Sequence, residues 1–187
     1  MTPSRISFLD PDVDGSTTGT RRLTRLYLKA RSRIPVIPLT MEKIQIAQEK
    51  DANAILALIQ EYFSYTEIDE NELLRRIHSP KFIYHYTQKN NQIIGFAEWE
   101  IIDTEKKIIR LNGIAVLPAF RGTGCAHALM GEGERVAREK GMKKIVLLVA
   151  EKNNTAKELY THNKWTFVRK HLKKINGENA EVWEKEL

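Results

Sequence analysis

Two stretches of this 187-residue chain carry residue types whose spacing could do chemistry. The first is Arg121-Gly122-Thr123-Gly124-Cys125-Ala126, set between an apolar run that stops at Pro118 and a helical pattern over 127–140. The first N–H groups of a helix lack intrahelical partners and sit at the positive end of its dipole, and glycines let an anion approach the backbone closely. The stretch therefore has the design of a phosphate cradle. A P-loop needs Lys and then Ser or Thr after its last glycine, and Cys125-Ala126 excludes it. The dinucleotide pattern Gly-x-Gly-x-x-Gly is met only in part, because His127 occupies its last place. The second stretch runs from Asn153 to Tyr160, with an amide side chain where a helix would be capped and a tyrosine on the helix's inner face. Cys125 sits near a helix start, which lowers a thiol pKa, but no base pairs with it in the sequence, so it reads as an inert small side chain. His85, His127 and His162 show no metal-ligand spacing with Cys or acidic residues.

The elements that must hold these stretches follow from periodicity. A strand is predicted over 44–47, then a helix capped by Asp51 with Ile55, Leu58, Ile59 and Tyr62 on its apolar face. A short helix over 70–78 stops before Pro80. Segments 82–86 and 93–101, joined by Asn90-Asn91, read as a hairpin, and 108–116 adds a third antiparallel strand. Gly141 ends the cradle helix, and 143–150 is apolar almost throughout, as a parallel crossover strand buried on both faces would be. Two further strands, 167–173 and 181–186, flank Asn176-Gly177. The order is β-α-α-β-β-β-α-β-α-β-β, without internal repeats.

Arg121-x-x-Gly124-x-Ala126 resembles the acyl-CoA pyrophosphate loop of GNAT-type N-acetyltransferases, and Asn153-x-x-Ala156-x-x-Leu159-Tyr160 resembles that family's second motif, in the right order. The resemblance extends over residues 41–187. It implies an α/β fold with a mixed, mostly antiparallel central sheet, flanking helices and a splay at the acyl-CoA site. It also implies acetyl-CoA as acyl donor without a metal, and direct attack by a primary amine in a ternary complex. The cofactor would be held by Ile114, Ala115 and Val116 on the strand, by Arg121, Gly122, Thr123, Gly124, Cys125 and Ala126 in the cradle, and by Asn153 and Tyr160. The Val116 N–H would hold the thioester carbonyl, and Tyr160, with an ordinary pKa of about 10, would protonate the departing thiolate.

Many members carry an acidic residue on the strand before Val116, where this chain has Arg110 and Asn112. Glu98 and Glu100, two apart on the preceding strand, share one face and stand as substitute bases. Tyr62, Tyr65, Glu67, Glu98 and Glu100 are candidates for the acceptor groove, where acidic groups suit a cationic acceptor. Lys164-Trp165 stands where the family's tyrosine helix usually ends in Gly-Phe, so the helix stop is expected to rely on Asn163 in a left-handed conformation. Gly131 and Gly133 in the cradle helix cost about 1 kcal/mol each against alanine, and close packing or a merely weakened helix are the two readings, between which the sequence does not choose.

Composition narrows the remaining classes. The net charge is +6, but residues 1–40 hold seven basic and three acidic side chains, leaving 23 and 21 in the rest. A nearly balanced domain argues against a nucleic-acid surface. Residues 1–40, with turn chemistry over 10–20, a short helical spacing over 21–31 and two later prolines, read as a leader outside the core fold, since Met41 opens a fresh strand pattern. A targeting segment and an extension that packs on the domain are the alternatives. One cysteine and no long apolar run suit a reducing, cytoplasmic setting without a membrane partner. The expected partner is a small-molecule or peptide amine, and a homodimer stays open. The rival from another class is an acyl-CoA-binding sensor or partner-binding module without turnover.

Overall fold

A computed structural model describes residues 43–187, so the expectations for 1–40 lie outside the described residues. Strands β1 (Gln45–Ile46), β2 (Phe82–Lys89), β3 (Gln92–Asp103), β4 (Ile108–Val116), β5 (Lys144–Ala150), β6 (Thr166–Ile175) and β7 (Glu178–Glu186) form one sheet in the order β1-β2-β3-β4-β5-β7-β6. Among the described residues only β4 and β5 pair in parallel. Helices α1 (Ala52–Tyr62) and α2 (Glu70–His78) lie between β1 and β2, α3 (Cys125–Glu139) between β4 and β5, and α4 (Asn154–His162) between β5 and β6. This is the expected element order. Among the described residues no helix is long and apolar enough to cross a membrane.

Period-two alternation distributes β3 between two apolar clusters. Phe96 joins Tyr84 and Tyr86 under Ile55, Ile59 and Leu73 of α1 and α2. Ala97 and Trp99 join Ile83, Ile109 and Leu111 with Leu129, Met130 and Ala137 of α3. Gly133 exists for this packing: a Cβ there would lie 2.0 Å from Trp99 Cζ2, so the indole sits directly on the helix backbone. A Cβ at Gly131 would meet nothing within 4 Å.

The feature that makes a site is a defect in the sheet. Glu98 opposes Gly113 and Trp99 opposes Leu111, which leaves Asn112 as the extra residue of a β-bulge. β4 pairs with β5 only through Ile108–Leu111 and Lys144–Leu147. Beyond that point Gly113–Val116 pair with β3 alone, and Leu148–Ala150 with β7 alone. The expectation that β5 is buried on both faces is corrected accordingly. Ile145, Leu147 and Val149 are buried, whereas Val146, Leu148 and Ala150 on the other face are half-buried; beside Leu148 and Ala150 the splay opens the sheet.

Local chemistry differs from expectation at two further places. Asp51 does not cap α1 through its side chain; Oδ2 accepts from the Gln48 N–H (2.9 Å) and Oδ1 from the Tyr86 hydroxyl (3.3 Å). Asn163 is not left-handed (φ −90°) and instead donates from Nδ2 to the Leu159 carbonyl at 2.8 Å, while Lys164 takes the left-handed turn at φ 64°.

Candidate active site

The splay between β4 and β5 continues into a cleft of about 790 Å³, within the range of small-molecule sites. At one end lies the cradle. Gly122 (φ 73°) and Gly124 (φ 88°) hold a backbone conformation that side chains resist, and a Cβ on either would meet no atom within 4 Å, so the space over them is open. The first hydrogen bond of α3 runs from the Ala128 N–H to the Gly124 carbonyl at 2.9 Å, and the N–H groups of Cys125, Ala126 and His127 precede that ladder. No side chain caps the helix and no acidic residue stands in its first turn. The positive end of α3 is therefore left for an external anion.

Arg121 links this end to the strand. Its Nε donates to the Val116 carbonyl at 3.0 Å, and its guanidinium carbon stands 5.6 Å from the Tyr62 ring centre. The Leu117 N–H bonds Ile94 on β3 at 2.9 Å, so by alternation the N–H and carbonyl of Val116 point the other way, into the splay. Ile114, Ala115, Val116, Gly122, Gly124, Cys125 and Ala126 all border the cleft. Thr123 does not; its hydroxyl turns back to donate to the Phe120 carbonyl at 2.6 Å. Burial pushes the Cys125 thiol up to about 11, which makes it a poor nucleophile despite its place at a helix start.

Asn153 and Tyr160 also border the cleft. Asn153 Oδ1 accepts from the Ala156 N–H at 3.1 Å, so the residue caps α4 and leaves Nδ2 as its donor. Tyr160 is 7% exposed, with its ring 5.9 Å from Trp165 and 6.4 Å from Trp183. Burial, and then the nearby Tyr65 phenol, push its hydroxyl above the ordinary tyrosine value, so it stays protonated throughout the neutral range.

Glu98 and Glu100 share a face of β3, as expected, but they do not border the cleft. Arg76 Nη1 donates to Glu98 at 2.8 Å, and Lys81 Nζ lies 3.0 Å from Glu100, which also pairs with Arg110. Asn112 is the link to the site: it borders the cleft while its Nδ2 donates to Glu98 (3.0 Å) and Glu100 (3.2 Å). Burial alone would raise the Glu100 carboxyl; donors Lys81, Asn112 and Arg110 outweigh it and hold the group below the usual carboxylate range.

The carboxylates and imidazoles that do border the cleft, among the described residues, are Glu178 and His127. His127 belongs to the first turn of α3, at the cradle end. Glu178 follows Asn176-Gly177, whose φ values of 46° and 77° make the tight turn between β6 and β7. The family resemblance implies that the final hairpin and the early helices build the acceptor groove, and Asn176 and Glu178 do border the cleft together with Tyr62, Phe63 and Tyr65; Glu178 itself was not among the sequence candidates.

Known proteins share this architecture. The family model described as "Acetyltransferase (GNAT) family" matches residues 52–164, which include α1 to α4 and both motif stretches. A [ribosomal protein bS18]-alanine N-acetyltransferase of Haemophilus influenzae is 40% identical over 72 residues, 38% of this chain and 47% of that protein, so the match spans about half the relative's length. The ribosomal-protein-alanine N-acetyltransferase of Brucella melitensis superposes with a TM-score of 0.68 at 18% identity, covering 78% of this chain and 100% of the other. The PaiA N-acetyltransferase of Thermoplasma acidophilum, solved with coenzyme A, gives 0.61 at 17% identity over 78% and 100%. At these identities the two structures speak for the fold. With an uncapped anion cradle, a splayed strand pair and a family match over more than half its length, the chain belongs to the GNAT family of acetyltransferases.

Proposed function

We propose that this protein transfers an acetyl group from acetyl-CoA to a primary amine by direct attack within a ternary complex. The observation that carries the reading is that one cleft is bordered by the uncapped N-terminus of α3, by Val116 and by Tyr160. The residues present fit the donor. Gly122 and Gly124 leave open space above a ring of first-turn N–H groups, and Arg121 adds a positive charge for a diphosphate. Asn153 Nδ2 stands on the wall where an amide-rich arm would run. When bound, acetyl-CoA supplies an activated thioester.

The chain's own groups then have distinct tasks. The Val116 N–H stabilises negative charge on a carbonyl oxygen placed in the splay. Tyr160, kept neutral by its surroundings, gives its proton to a departing thiolate. Glu98 and Glu100 serve as supports in this scheme rather than as bases, because their hydrogen bonds to Asn112 brace the bulge that opens the strand pair. Cys125, raised by burial, is unsuited to a covalent acetyl intermediate, which favours direct attack. The Haemophilus influenzae relative, named for acetylating an alanine of bS18, supports a primary amine as the acceptor class.

The test is release of free thiol from acetyl-CoA across a panel of primary amines. Amine-dependent release supports the reading; acetyl-CoA binding without release from any amine would instead identify a sensor. Within that assay Tyr160→Phe is expected to lower kcat by about a hundredfold, the scale of one lost proton donor, with acetyl-CoA affinity nearly constant.

A further inference from the structure

Which N–H of β4 enters the splay depends on the bulge. With Asn112 as the extra residue, Gly113 opposes Glu98, Val116 opposes Gly95, and the Leu117 N–H donates to Ile94 at 2.9 Å. Without the bulge the pairing of Leu111 with Trp99 would run on unshifted. Val116 would then stand opposite Ile94, and its N–H would bond β3 instead of facing away from it. Whatever holds Asn112 out of register therefore also sets the aim of the Val116 N–H.

Three side chains grip Asn112. Its Nδ2 donates to Glu98 at 3.0 Å and to Glu100 at 3.2 Å, and its Oδ1 accepts from Arg110 Nε at 2.6 Å. Glu100 is itself held twice, by Arg110 and by Lys81. Glu98 has a single support: it is buried, and among the described residues Arg76 is the cationic side chain that meets it, Nη1 to Oε1 at 2.8 Å. Arg76 comes from α2, 22 residues away in sequence. It is oriented in turn by Glu72, which accepts from its Nε at 2.6 Å, and by the Phe82 ring, whose centre lies 5.1 Å from the guanidinium carbon. The chain of contacts Glu72, Arg76, Glu98, Asn112 reaches the cleft only at its last member. A buried ion pair gains little stability over apolar packing of the same volume, but its charge-assisted hydrogen bonds fix direction.

We infer that Arg76 is a positioning residue for acetyl transfer: by holding the Glu98 carboxylate it holds Asn112 in the bulge, and through the bulge it aims the Val116 N–H into the splay. The inference rests on the acetyl-transfer reading for its catalytic consequence, but the dependence of the bulge on Arg76 is measurable without turnover.

The experiment compares the full-length chain with Arg76→Gln and two reference variants. Arg75→Gln removes the other partner of Glu72, which has no link to Glu98. Lys185→Met breaks the buried pair with Glu134 (2.7 Å), a loss of the same kind away from the bulge. Three quantities are read: kcat in the thiol-release assay, acetyl-CoA affinity by calorimetry, and backbone amide shifts in isotope-labelled protein. Arg76→Gln is expected to lower kcat about tenfold, part of the roughly hundredfold or greater effect of losing an oxyanion donor outright, with acetyl-CoA affinity nearly unchanged. The amides of residues 113–116 should shift while those of 124–128 stay in place. Arg76→Lys should restore part of kcat. Arg75→Gln and Lys185→Met should keep both kcat and the amides of 113–116, although Lys185→Met lowers the thermal midpoint. If Arg76→Gln does not fold, the double variant Arg76→Gln, Glu98→Gln replaces it with the same expectations, since it leaves no buried carboxylate unpaired. Unmoved amides at 113–116, a joint fall of kcat and acetyl-CoA affinity, or an equal loss of kcat in Lys185→Met would overturn the inference. Absence of turnover in the parent chain would overturn the functional reading instead, and the amide shifts would still decide whether Arg76 holds the bulge.

Discussion

At the start of α3, Gly124 turns through φ 88° and offers no side chain to the first N–H groups; at the start of α4, Asn153 folds Oδ1 onto the Ala156 N–H at 3.1 Å. Both helices border the same cleft, both lack an acidic residue in the first turn, and both follow a strand. One terminus has no side-chain cap and the other is satisfied from within. The contrast teaches how a fold chooses where an anion goes: helices share the dipole, and the difference lies in whether a side chain has already taken the donors. A helix start is informative about ligands only when its cap is absent.

The helices also differ in body, and the largest expected effect separates a glycine that packs from one that does not. Gly133→Ala should cost about 3 kcal/mol or more, the upper range of overpacking, because its Cβ would stand 2.0 Å from a buried indole carbon of Trp99. Gly131→Ala, two residues away with open space around it, should stabilise the same helix by about 0.5 to 1 kcal/mol. Denaturant midpoints of the two variants measure this; two effects of equal sign would mean that Trp99 does not lie on α3.

Gly124→Val attacks the uncapped terminus itself. A β-branched residue at φ 88° must move the turn, and the first-turn donors lose their aim. Coenzyme A affinity is expected to fall about a hundredfold, equivalent to two charge-assisted hydrogen bonds, with only a modest change in thermal midpoint. Unchanged affinity by calorimetry would move the anion site away from α3.

Asn153→Ala probes the satisfied terminus. Loss of the cap should lower stability by about 1 kcal/mol, as N-cap truncations do. Comparison with Asn153→Asp sharpens the reading, since aspartate caps as well but offers no Nδ2 donor to a ligand. If both variants weaken coenzyme A binding alike while only the alanine destabilises, the amide donor touches the ligand and the cap is a separate task.

The legibility of the sequence follows the same division. Strand order and the cradle could be read because they depend on local signals: alternation, an apolar run ended at Pro118, and glycines before a helical period. Side-chain alternation also placed Glu98 and Glu100 on one face, but not what covers that face. Arg76 of α2 and Arg110 of β4 reach it from 22 and 10 residues away in sequence, and those ion pairs keep the two carboxylates out of the cleft. Glu178 was missed for the complementary reason. Its signal, an Asn-Gly turn, fixes a hairpin but not which of the hairpin's side chains borders the cleft. The purpose of Gly133 was equally hidden, since the atom that demands it belongs to Trp99 on another strand.

The far ends of the helices extend the comparison at the smallest scale. α3 ends at Gly141 with φ 69°, where glycine turns left without penalty; α4 ends at Lys164 with φ 64°, a conformation that crowds a Cβ. The Trp165 N–H reaches back to the Tyr160 carbonyl at 3.0 Å, so the turn at Lys164 is what brings Trp165 under the Tyr160 ring. Lys164→Gly relieves the strain but adds freedom to the unfolded chain, and the two effects partly cancel. A net gain of about 0.5 kcal/mol is expected, read as a small rise in denaturant midpoint at constant slope. A loss instead would show that the Lys164 stem packs on the protein, and that this helix ends on a side-chain contact where α3 ends on backbone alone.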